Sequence, residues 1–145
     1  MIRPYNDTDK AALIDIFRRN APEYFDPAEL ADYEKYLDEY ASTYFTVEHE
    51  GKIAGGVGYF IDRLKKTGQI TWILFHPQYT GMGLGKKVVE HCFAIFKADS
   101  GVEKLVVTTS QKAYRFFEKL GYGLVKTEEN YWGPGLDLYL MERPL

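Results

Sequence analysis

The sequence predicts a mixed α/β domain: a mostly antiparallel sheet of about seven strands with helices on both faces. Three observations predict it. Short runs rich in β-branched and aromatic residues recur along the chain, as at 44–48, 70–75 and 105–109. Between them lie stretches whose apolar residues return at helical spacing, several opened by Asp, Thr or Pro. One strand-like run, 70–75, passes through a glycine-rich turn straight into such a stretch, and another strand-like run follows. That arrangement is a helical crossover between parallel strands.

Taken in order, residues 1–5 read as a short first strand. Asp7, Thr8 and Asp9 offer N-caps, and Ala12, Leu13, Ile14 and Phe17 give one apolar face to about Asn20. A loop over 21–27 ends with Asp26 as a cap and Pro27 at the first helical position. The second helix runs to about Tyr40, with Leu30, Tyr33, Leu37 and Tyr40 inward. Its other face carries Glu29, Asp32, Glu34, Asp38 and Glu39 against Lys35 alone. Such a face is either solvated surface or an attractor for a cationic amine.

Residues 44–48 and 53–62 form a predicted hairpin about Glu50-Gly51-Lys52. Gly55, Gly56 and Gly58 weaken its second strand or admit a close neighbour. After a loop at 64–68 comes the strand 70–75, expected to pair in parallel with 105–109. The helix between them has Leu84, Val88, Val89, Cys92, Phe93 and Phe96 on its apolar stripe and stops at Asp99-Ser100-Gly101. A last helix over 111–120 turns Ala113, Phe116, Phe117 and Leu120 inward. Strands at 122–128 and 136–142, joined by a loop at 129–135, complete the order βααβββαβαββ. No repeat or linker divides residues 1–145, so one domain is expected.

Composition narrows the function. The 145 residues are 46% hydrophobic and 27% charged, as in ordinary globular proteins. A net charge of −3 argues against a nucleic-acid partner, which calls for a basic face. The aromatic share of 16%, with 12 Tyr and 9 Phe, suits a ring-lined cleft or simple packing. The single cysteine, Cys92, lies on an apolar stripe and reads as a buried thiol. No run is long and apolar enough to span a membrane, and the start lacks a signal-peptide pattern, so the cytoplasm is the default expectation. No His, Cys and carboxylate spacing suggests a metal.

The chemistry concentrates at Phe75-His76-Pro77-Gln78-Tyr79-Thr80-Gly81-Met82-Gly83-Leu84-Gly85-Lys86-Lys87. Gly81, Gly83 and Gly85 allow a sharp turn with bare backbone N–H groups. Those donors, the positive end of the following helix, and Lys86 and Lys87 suit a phosphate or pyrophosphate. A Walker A loop fails, because Thr80 stands where its first Gly belongs and Lys87 where its Ser or Thr belongs. A dinucleotide loop fails because the spacing is G-x-G-x-G. The stretch from Phe75 to Gly85 closely resembles the pyrophosphate loop of the GNAT superfamily of N-acetyltransferases, usually Arg/Gln-x-x-Gly-x-Gly after a strand ending in x-Pro. Thr80 takes the Arg/Gln place, with Gln78 nearby to compensate. Ser110 to Tyr122 also resembles the family's Asn-x-x-Ala-x-x-x-Tyr-Glu-Lys-x-Gly-Phe, and the predicted element order is the family's.

This resemblance implies an N-acetyltransferase that moves an acetyl group from acetyl-coenzyme A to a small-molecule or peptide primary amine in a ternary complex. It implies that the crossover strand and the strand after it splay apart at a bulge, and that in the gap the backbone of Ile73, Leu74 and Phe75 pairs with the pantetheine, with an N–H near Phe75 polarising the thioester. Gly81, Met82, Gly83, Leu84, Gly85 and Lys86 would hold the pyrophosphate, and Ser110 and Phe117 would line the cofactor. Glu23 and Tyr24, between the first two helices, would meet the acceptor. The family's usual acid, a Tyr, is here Phe117. A Glu base found in members that acetylate protein N-termini is here Leu105. Tyr114, Tyr131 and Tyr122 remain as acids, with His76 as a base and water as the other source. A non-catalytic domain that binds acetyl-coenzyme A is the alternative reading, and a homodimer is an open option.

Overall fold

The computed structural model describes residues Met1–Leu145. Its strands are β1 (Ile2–Pro4), β2 (Tyr44–His49), β3 (Lys52–Asp62), β4 (Thr67–Phe75), β5 (Lys104–Thr109), β6 (Gly123–Gly133) and β7 (Leu136–Pro144). Its helices are α1 (Lys10–Asn20), α2 (Leu30–Glu39), α3 (Leu84–Ala98) and α4 (Tyr114–Glu118). The seven strands form one sheet in the order β1-β2-β3-β4-β5-β7-β6. Only β4 and β5 run parallel, as the α3 crossover requires.

Each face of the sheet carries its own core. On one, Val88, Val89, Cys92 and Phe96 of α3 and Phe117 of α4 pack on Val57, Ile70, Leu105 and Val107. On the other, Leu13, Ile14, Ile16 and Phe17 of α1 and Tyr33 and Leu37 of α2 pack on Tyr44 and Leu74. Tyr40 departs from its expected inward place: it follows the last turn of α2 and is 58% exposed. The acidic face of α2 is partly committed. Glu29 closes a capping box by accepting from the Asp26 N–H at 2.9 Å, and Asp38 pairs with Lys10 at 2.8 Å.

Two elements end differently from the expectation. The last helix is regular only over Tyr114–Glu118, because the Ser110 carbonyl accepts from both Ala113 and Tyr114 and its hydroxyl accepts from Lys112 N at 3.2 Å. Those bonds hold a turn where a helix would otherwise begin. β6 runs through the expected loop to Gly133. Its irregular passage centres on Asn130 at φ +54°, whose N–H donates to Asp137 and whose side chain accepts from Gly135 N.

The chain start is fastened by one buried carboxylate. Asp9 is 3% exposed and accepts from Arg3 twice at 2.8 Å, from Thr46 Oγ1 at 2.8 Å and from Asn6 N at 2.9 Å. The Arg3 guanidinium, above all, holds its pKa down at about 2. A carboxylate depressed in the folded state stabilises fully above its unfolded pKa, near 4, and loses that contribution as pH falls toward 2. That contribution is worth roughly 2 kcal/mol. Urea titrations at pH 7, 4 and 2.5 should therefore show a steep loss of stability over the last interval, and Asp9→Asn should flatten that loss while lowering stability at pH 7.

Candidate functional site

The site begins where the sheet stops being continuous. β4 and β5 pair only at Thr67–Lys104, Gly68–Leu105 and Gln69–Val106. The expectation of pairing along 70–75 is corrected: from Ile70 onward β4 keeps its β3 ladder and leaves β5, while β5 stays bonded to β7 through Thr109. The divergence coincides with a bulge. Gly56 faces Leu74 and Gly58 faces Thr71, so β4 holds one extra residue there. Trp72 sits in the bulge at φ +43°, a left-handed conformation that costs a non-glycine residue about 1–3 kcal/mol. Thr71 and Trp72 consequently both face α1 and α2, where Trp72 lies 5.0 Å from Tyr33 and 6.0 Å from Phe25, ring to ring. Ile73 and Phe75 turn to the α3 side and Leu74 to the α1–α2 side.

Beyond β4, the Pro77–Tyr79 turn is capped by His76, whose Nδ1 accepts from Gln78 N at 3.1 Å. That bond occupies the nitrogen through which His76 could act as a base. Thr80 donates its hydroxyl to the Pro77 carbonyl at 2.7 Å, so it tightens the turn and does not reach outward as Arg or Gln would. Gly81 and Gly83 take φ +81° and +78°, and a Cβ on either would meet nothing within 4 Å. Their bare, left-handed backbone forms a cradle that a side chain would fill. No backbone acceptor within the chain meets the N–H groups of Gly81, Gly83, Leu84, Gly85 or Lys86. The Met82 N–H is spent on Tyr79 O at 3.3 Å, so Met82 serves the loop's shape. Four of these free donors open α3, a 15-residue helix without a side-chain N-cap. This donor set fits a pyrophosphate.

The remaining residues fall into two groups. Ser110 is 4% exposed with its hydroxyl engaged in the turn before α4. Phe117 is 3% exposed, edge-on to Phe116 at 5.0 Å and Tyr122 at 5.7 Å. Leu105 is fully buried beside the β4 pairing, so neither it nor Phe117 offers a proton. Phe116, expected only as an inward residue of the last helix, packs against the first turn of α3: its ring lies 3.0 Å from where a Cβ on Gly85 would stand. Tyr114 is half-buried against Tyr139 at 4.9 Å, under the Arg115 guanidinium at 5.2 Å. Tyr139 pairs with Thr109, which brings Tyr114 to the diverging end of β5. Cys92 is fully buried, and burial pushes its thiol up to about 12, far from a nucleophile's range.

Toward the α1–α2 loop, the β6–β7 hairpin bends over the end of β5. Trp132 Nε1 donates to Thr109 O at 3.0 Å, and Gln111 bridges Gly135 O and Asp137 N. Gly133 then abuts the Asp26 carboxylate of the α1–α2 loop, closely enough that no Cβ would fit. Tyr131 projects beside this contact, 53% exposed and edge-on to Trp132. Glu23 and Tyr24 are exposed on the same loop, with burial and Glu23 raising the Tyr24 pKa. Of two surface grooves, about 450 and 400 Å³, the first lies against α1 and the second between β1 and the start of α3, where Leu84 and Lys87 line it. No group of three or more His, Cys, Asp or Glu is gathered to hold a metal, and no helix is long and apolar enough to cross a membrane.

A diverging parallel pair that opens onto a glycine cradle is matched by sequence. Residues 10–122 match the model of the acetyltransferase (GNAT) family. The chain belongs to that family. This GNAT chain is 27% identical, over 99% of its own length and 92% of the relative's, to an N-alpha-acetyltransferase of Sulfurisphaera tokodaii. Ard1 from Thermoplasma volcanium superposes with a TM-score of 0.82 at 17% identity, covering 100% of this chain and 97% of the other. The yncA acetyltransferase of Salmonella typhimurium, solved with acetyl-CoA, gives 0.72 at 22% identity over 100% and 93%. The chain is thus an N-acetyltransferase of the acetyl-coenzyme A-dependent class, and the cradle and open strand suit that cosubstrate.

Proposed function

We propose that this GNAT chain acetylates the free α-amine of a peptide by direct attack within a ternary complex. The observation that carries the reading is the β4 segment Ile73–Phe75, paired with β3 but open on its β5 side, together with the free N–H groups at the start of α3. Acetyl-coenzyme A supplies an acetyl group on a thioester, already activated toward a neutral amine. The N–H groups of Gly81, Gly83, Leu84, Gly85 and Lys86 bind its pyrophosphate, with charge from Lys86 and Lys87. The backbone of Ile73, Leu74 and Phe75 orients the pantetheine as an added strand would, and the Phe75 N–H polarises the thioester carbonyl. Tyr114 gives its proton to the departing sulfur, and the proton that the amine sheds as the amide forms returns through water to the Tyr114 oxygen. Phe117 and Ser110 keep that end of the site dry and shaped.

The peptide assignment is supported by the name of the Sulfurisphaera relative. Glu23 and Tyr24 meet the incoming amine. The apolar residues at 105 and 117 favour one rival, a domain that binds acetyl-coenzyme A without turnover. Release of coenzyme A thiol across a panel of peptide N-termini, polyamines and small amines tests both. The highest kcat/KM is expected with peptide α-amines. Turnover with none of them, while the cosubstrate still binds, would leave the binding-domain reading standing.

A further inference from the structure

Tyr44 lies on β2, two strands from the β4 bulge, yet its hydroxyl donates to the Trp72 carbonyl at 2.7 Å. The path across β3 is cleared by glycine. A Cβ on Gly56 would stand 2.5 Å from Tyr44 Oη, and one on Gly58 would stand 2.7 Å from the Tyr44 ring. The Tyr44 proton is committed to Trp72, so Tyr33 donates to Tyr44 across 2.8 Å. Both rings are almost fully buried, at 0% and 1% exposed, so water does not compete for these bonds. Tyr36 holds the preceding residue in the same way, its hydroxyl 3.0 Å from Thr71 Oγ1.

The Trp72 carbonyl and the Ile73 N–H belong to one rigid peptide plane and point in opposite directions. A clamp on the oxygen is therefore a clamp on the hydrogen. Tyr44 Oη lies over Gly56 on the α1–α2 face of the sheet, so the Trp72 oxygen is drawn to that face and the Ile73 N–H is turned away from it. We propose that Tyr44, backed by Tyr33, is a positioning residue for acetyl transfer, fixing the Trp72–Ile73 peptide so that the open backbone of β4 meets the cosubstrate in a set orientation. The inference rests on the reading that Ile73–Phe75 holds the pantetheine. It also accounts for a left-handed Trp, since such strain persists where its surroundings over-determine it.

Tyr44→Phe and Tyr33→Phe test it in the full chain, well below their melting temperatures. For Tyr44→Phe, kcat should fall tenfold or more while the Kd for acetyl-coenzyme A changes less than threefold. The amide resonance of Ile73 should move in the protein without cosubstrate. Tyr33→Phe should give the same pattern at a few-fold size, and Gly56→Ala, which displaces the Tyr44 ring, should resemble Tyr44→Phe. A lower Tm with kcat and the Ile73 amide unchanged would overturn the proposal, because that is what a purely structural bond would do. Should Tyr44→Phe fail to fold, Tyr33→Phe decides by the same two readouts. If the wild type turns over no amine, the functional reading fails, and the Ile73 amide still reports whether the clamp exists.

Discussion

Gly83→Val is expected to weaken acetyl-coenzyme A binding by tenfold or more, at least about 1.4 kcal/mol. Two effects add. The new side chain enters open space directly in front of the free N–H groups, where a pyrophosphate must approach. A β-branched residue at φ +78° is also strained, so the loop will tend to leave the conformation that aims those donors. The position is exposed and outside both cores, so the fold should be retained with a small loss of Tm. Calorimetric titration measures the change, and an unaltered affinity would remove the cradle from the site. Gly83→Ala, which carries the strain with little bulk, separates the two effects.

Tyr114→Phe is expected to lower kcat by about 10²-fold, the lower end of what general-acid help supplies, with little change in cosubstrate affinity. Tyr114 stands at the diverging end of β5, and no protein group accepts its hydroxyl. Tyr131→Phe should cost less than tenfold, because that ring projects from the hairpin into solvent. Thiols ionise near 8.5, so a thiolate can also leave unaided and take its proton from water. Full activity in both variants would point to that route. Phe117→Tyr does not simply restore an acid: a hydroxyl there enters a buried cluster where Tyr122 Oη already lacks a partner. It should lower stability by roughly 1–3 kcal/mol unless the site supplies an acceptor.

Much of this was legible in the residues. The glycines at 81, 83 and 85 between a strand-like run and an amphipathic stretch mark a sharp turn, where Gly81 and Gly83 take the left-handed backbone it needs, and the crossover fixes β4 and β5 as parallel. The bulge is implied by the family resemblance and not by the residues themselves. Nothing in Ile70-Thr71-Trp72-Ile73-Leu74 marks a left-handed residue, because the conformation is imposed by hydroxyls arriving from β2 and α2. The glycines of β3 announced a close approach, but which rings would fill the space depends on strands remote in sequence. Helix and strand ends were displaced where Ser110 and Asn130 bond locally to the backbone, a choice that propensity does not register.

The short seam between β4 and β5 has a mechanical consequence. Its three residue pairs are the only ladder joining the four strands β1–β4 to β5, β7 and β6, so beyond them the two halves of the sheet are held together by the core beneath α3 and not by strand pairing. A ligand that lies between the halves as an extra strand would bridge them with the hydrogen bonds each lacks. Stiffness across the molecule would then be a property of the complex, acquired and lost with each catalytic cycle.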